Sequence, residues 1–238
     1  MKALLSVTRQ FFAQLRSDAM LVMLILLPII MGFLFRFGVP ALEGYLCTQL
    51  GRAAILAPYY FVFDLLLSIM TPYMFSAAGA MVILDEADLG LARAIAVTPV
   101  ERRGYLASRI GVPAVLATLY CTAVTLVFRL SGLDAGRLIV LALCSGALGV
   151  VVALMVSSMA QNKVEGLAYS KLSGLFVLGL PVALLIPAPA QYISAVLPTF
   201  WMTKLALGAS LLNALPALLA SLLWAAAFAR HFVKKVLT

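Results

Sequence analysis

Six apolar runs, each close to the roughly 20 residues a helix needs to cross a bilayer, dominate this 238-residue chain. They fall at about 19–37, 59–84, 110–129, 137–159, 168–187 and 209–229. Backbone amides have no water to bond in hydrocarbon, so runs of this length are restricted to helices. A water-facing domain would carry about 25% charged residues; this chain carries 11%, with 64% apolar. The expected fold is an all-α membrane protein, one domain over residues 1–238, with six transmembrane helices. No linker divides it, and no repeat of 20–50 residues is visible.

The net charge of +8 does not point to nucleic acid, because the basic residues are dispersed. It fits topology better. With the N-terminus inside, twelve Lys and Arg fall on the inner side and five (Arg36, Arg52, Arg129, Arg137 and Lys204) on the outer. Lys and Arg concentrate on the cytoplasmic side of membrane proteins, so both termini are expected to be cytoplasmic. Lys2, Arg9 and Arg16 share one face of residues 1–18, with Leu4, Phe11 and Leu15 on the other. That pattern predicts an amphipathic helix in the headgroup plane. Arg9 and Arg16 break the apolar run that a cleavable leader would need.

Two connections exceed a turn, 38–58 and 188–208, both on the outer side. The second is too apolar for a solvated loop. Tyr192 and Trp201 suit the headgroup level. It is expected to form short helices broken at Pro198 that re-enter the outer leaflet. Pro72 in the second run and Pro181 in the fifth predict kinks.

Catalytic chemistry has little to stand on. Cys47, Cys121 and Cys144 have no metal-ligand spacing. His231 is the only histidine. No paired carboxylates share a spanning face, and no G-x-x-x-x-G-K-[ST] loop is present to hold ATP. No metal, cofactor or enzymatic activity is therefore expected of the chain itself. Asp64 is the main ionisable residue inside a run. Such a residue marks a functional site by default, although a boundary position paired with Arg36 or Arg52 also fits.

The charged segment 85–109 stands apart. It holds Asp85, Glu86, Asp88 and Glu101 beside Arg93, Arg102, Arg103 and Arg109. A helix over 85–97 places Leu89, Ala92 and Ala96 on one face and Glu86 with Arg93 on another. The residue before a proline avoids the α region, so Thr98-Pro99 stops that helix. Thr98, Pro99 and Glu101 then read as a capping box that starts the next. A broken helix on the cytoplasmic face suits docking to a soluble partner.

The run Glu86-Ala87-Asp88-Leu89-Gly90, with Thr98-Pro99 after seven intervening residues, resembles the signature of the ABC-2 type permeases. That family shows E-x-E-x-G-T-L and then T-P; here Asp88 replaces a Glu, and Leu91-Ala92 replace T-L. The stretch Arg93–Pro99 followed by Arg103-Gly104-Tyr105-Leu106 also resembles fluoroquinolone and multidrug export permeases. The resemblance implies a bacterial plasma-membrane permease, paired with a second identical or homologous permease and with two ATPase subunits that consume ATP and Mg. It implies that 85–109 is the coupling helix, with Glu86, Asp88, Gly90, Thr98 and Pro99 at matching positions. Arg93, Arg102 and Arg103 join them on charge and placement. It further implies a substrate path along the first, second and fifth helices, where Phe33, Phe37, Asp64, Tyr73, Phe75 and Phe176 are candidates. An ion-coupled carrier and a non-transport scaffold are the competing readings.

Overall fold

The computed structural model describes residues 9, 13, 16, 18–89, 107–208 and 210–236. Among these the regular structure is helical throughout, and six helical segments are long and apolar enough to span. They are Leu21–Leu50, Ala57–Asp88, Ser108–Phe128, Ala135–Met159, Lys163–Leu185 and Leu211–Phe232. The chain is an all-α, six-span membrane protein. The spans alternate in direction, so Leu21, Asp88, Ser108, Met159, Lys163 and Phe232 lie at one end of the bundle, called here the Glu86 end.

The second and fourth spans form the centre. In their most apolar stretches 78% and 72% of residues are buried, against 17% in the first and the sixth. A hydrocarbon solvent explains the contrast: apolar side chains on the outer spans need no protein cover. The centre closes through small residues. A side chain on Gly149 would lie 2.7 Å from the Ser76 hydroxyl and 3.1 Å from the Pro72 carbonyl, so only glycine lets the two backbones approach. Ser68 and Ser145 bond across the same contact at 3.0 Å.

The first span runs past its expected end at 37. A π turn over Leu34–Gly38 leads directly into helix Val39–Leu50. Pro40 falls in the first turn of that helix, where a missing N–H costs nothing. The true stop is Gly51, at φ 61°. At 1.5 Å per residue, thirty residues reach about 45 Å, more than the hydrocarbon core is thick. Glu43 fixes the extension by accepting the amides of Ile55 at 2.8 Å and Leu56 at 2.6 Å. The connection expected over 38–58 is thus mostly helix.

The fifth span is broken. Helix Lys163–Leu172 gives way to a 3₁₀ segment, Ser173–Leu178, and then to helix Gly179–Leu185. Pro181 sits in the first turn of the last piece, so the break precedes the proline.

Residues 190–206 form two short helices, Ala190–Val196 and Pro198–Ala206, which meet at Pro198. Phe200 and Thr203 are buried, and the Thr199 hydroxyl donates to the Phe176 carbonyl of the fifth span. The Trp224 indole of the sixth span donates to the Val196 carbonyl at 3.1 Å. Of the amphipathic helix expected over 1–18, only Arg9, Ala13, Arg16 and Asp18 are described.

Candidate functional site

The second span continues to Asp88, four residues past its expected end, so Asp85 and Glu86 belong to it. Glu86 is almost wholly buried, and so is Arg109, in the π turn Ala107–Gly111 that opens the third span. Arg109 grips Glu86 with two nitrogens: Nε to Oε2 at 2.8 Å and Nη2 to Oε1 at 2.5 Å. A guanidinium matches a carboxylate in this two-pronged way, which fixes orientation as well as distance. The pair therefore joins the two ends of the charged segment and ties both to the core.

A second ionic cluster lies beside it. Lys163 Nζ donates to Asp18 at 2.6 Å and to Asp85 at 3.0 Å. It thereby bridges the residue before the first span, the end of the second and the start of the fifth. These side chains are 30–43% exposed, in contrast to the sealed Glu86–Arg109 pair. Asp88, one helix turn on from Asp85, is exposed. Gly90, Arg93, Thr98, Pro99, Arg102 and Arg103 lie outside the described residues.

The aromatic candidates for a path separate into three groups. Phe33 and Phe37 are exposed; Phe33 packs on Phe128 of the third span at 4.8 Å. Phe75 and Phe176 are buried, the first 6.5 Å from the Tyr120 ring and the second 5.2 Å from Trp224. Tyr73 alone of the five lines a cleft shared by the first, second and fifth spans. Its hydroxyl donates to the Ser170 carbonyl and accepts from the Ser173 hydroxyl at 3.0 Å.

Asp64 does not pair with Arg36 or Arg52. It is buried, and it accepts the amides of Leu130 at 2.7 Å and Ser131 at 2.8 Å, with the Ser131 hydroxyl as a third donor. Arg36 bonds instead to the Arg129 carbonyl at 2.8 Å. The third helix ends at Phe128 and leaves backbone groups without helical partners. Asp64 and Arg36 supply them.

Sequence reading did not single out Arg109 as the partner of Glu86, Lys163 as a bridge, or Ser170 and Lys171 in the Tyr73 cleft. A basic residue in an apolar run was the available signal for Lys171. The other pairings are tertiary and leave no spacing to read.

A model of the family described as "Fluoroquinolones export permease protein Rv2686c-like" matches residues 11–233. Two curated proteins of Mycobacterium tuberculosis, from different strains and both named fluoroquinolones export permease protein, are each 29% identical over 195 residues. The match covers 79% of this chain and 75% of each relative. No solved structure matches.

Proposed function

This chain belongs to the Rv2686c-like family of fluoroquinolones export permeases, and on that premise we propose how it works as the membrane subunit of an ATP-binding cassette exporter. The observation that carries the proposal is the Glu86–Arg109 pair, which makes one rigid root for the segment between the second and third spans. A lever transmits force only if its base is stiff. Segment 89–106, with Gly90, Arg93, Thr98, Pro99, Arg102 and Arg103, is the coupling element that enters a cleft of the ATPase. Exposed Asp88 joins that contact. Glu86 holds the base rather than touching the partner.

The Glu86 end faces the cytoplasm, together with both termini, in keeping with the excess of Lys and Arg there. Two ATPase subunits dock beneath two permeases and use ATP and Mg; the second permease is this chain or a homologue. The short helices over 190–206 enter the outer leaflet. Closure of the ATPases moves the lever and shifts the spans between access states, which requires the loop to bind differently in each. The relatives' names make fluoroquinolone-type drugs the first substrates to try.

The test is purification of the tagged chain from its own host in mild detergent, with ATPase activity assayed in the eluate. A co-purifying ATPase that is lost on Asp88→Ala with Pro99→Ala, while the chain still inserts, is the expected result. A chain that comes away alone, or one that moves drug under an ion gradient without ATP, would overturn the reading.

A further inference from the structure

The Tyr73 cleft has a volume of about 280 Å³. Leu24 contributes from the first span, Met74 and Met81 from the second, and Leu167, Ser170 and Lys171 from the fifth. Lys171 is the only charged residue in the lining. It lies eight residues into its span, about 12 Å from Lys163 along the helix axis. Its side chain is exposed, and it makes no ion pair among the described residues. Lys163, on the same helix, has two carboxylates.

An unpaired ammonium inside a span is costly and marks a pathway unless it reaches the interface. A second observation lies at the same cleft. Ser170 is one of its lining residues, and the Ser170 hydroxyl is buried with no hydrogen-bond partner, a state that native structures rarely leave unexplained. Tyr73 holds this stretch in place by bonding the Ser170 carbonyl. The remaining wall is apolar, and its methionines can adapt to a flat ring system.

We propose that Lys171 and the Ser170 hydroxyl form a carboxylate-binding subsite, with Tyr73, Met74 and Met81 receiving the aromatic body of the same ligand. The ligand class is an aromatic molecule with one carboxylate. The choice of probe rests on the export reading above, since fluoroquinolones are aromatic carboxylates.

The test uses the permease with its ATPase in nanodiscs. Binding of a fluorescent fluoroquinolone is compared with binding of its methyl ester, which keeps the rings and removes the carboxylate charge. The acid is expected to bind about tenfold more tightly than the ester, as the loss of one charge-assisted contact would give. Lys171→Gln should abolish that preference and Lys171→Arg should retain most of it. Ser170→Ala should weaken acid binding severalfold and leave ester binding unchanged.

Equal affinity for acid and ester in the unmodified complex, or a preference that survives Lys171→Gln, would overturn the subsite; Lys171 would then be a lysine reaching for the headgroups. Loss of both ligands on Lys171→Gln and on Lys171→Arg would also overturn it, as the mark of a structural role. ATP-driven transport by the same complex reconstituted into sealed proteoliposomes separates this from the export reading. Efflux of both probes without acid preference leaves the exporter and removes the subsite. Acid-selective binding that needs Lys171, with no efflux, leaves the subsite and removes the exporter.

Discussion

The second span ends in two ionic clusters one residue apart in sequence and opposite in character. Glu86 turns inward to Arg109 and is sealed from solvent. Asp85 turns outward to Lys163, where the side chains stay partly exposed. Desolvation sets the difference. A buried charge that loses its partner cannot be rescued by water, whereas an exposed one can. The first cluster is therefore a fixed joint between the second and third spans. The second is an exchangeable tie among the first, second and fifth.

The largest expected effect comes from breaking the joint. Arg109→Ala should cost about 3–5 kcal/mol, because it strands the Glu86 carboxylate. Folded yield and melting temperature in detergent report it. Replacing both partners at once, Glu86→Leu with Arg109→Met, should recover most of that loss, since an apolar pair of similar volume needs no counter-charge. If the double variant stays as unstable as the single, the pair's role is not simple mutual neutralisation.

Asp64 gives an intermediate case: a buried carboxylate satisfied by neutral donors at the far end of the same span. Asp64→Ala should cost about 1–3 kcal/mol by freeing the amides of Leu130 and Ser131. Hydrogen exchange at those two amides should rise locally. The smallest effect belongs to the exposed tie. Lys163→Ala should change stability by about 1 kcal/mol or less. Raising salt toward 1 M should mimic it, because screening weakens exposed pairs and spares sealed ones. A melting temperature that falls steeply with salt in the Lys163→Ala variant would show that another exposed contact carries the load.

The spans were legible because hydrocarbon leaves only helices, and a helix of fixed rise needs a fixed number of apolar residues. Their ends were less so. The first run was expected to end at 37, yet Pro40 falls in the first turn of the helix that continues it, a position where proline is favoured. Glu86 shows the limit at the site. Its motif position was evident, but burial depends on where the third span returns, and Arg109 lies 23 residues away. Expected as a docking residue, Glu86 is part of the core, so its removal acts on folding before it acts on coupling. Phe75 and Phe176 show the converse: aromatic residues on spanning helices look alike in sequence whether they face a path or a neighbour.

The broken fifth span behaves like a screw thread. Its middle six residues wind as a 3₁₀ segment, which rises about 2.0 Å per residue against 1.5 Å for an α-helix and turns about 20° further at each step. Rewinding those six residues as α-helix would draw the two ends of the span together by about 3 Å and rotate one against the other by about 120°. Lys171 sits two residues before the thread, and Gly179, where an added side-chain carbon would come within 2.5 Å of the Phe200 backbone nitrogen, sits directly after it. A change of pitch in this short stretch would therefore swing the Lys171 ammonium around the helix axis while the far half stays seated against Phe200.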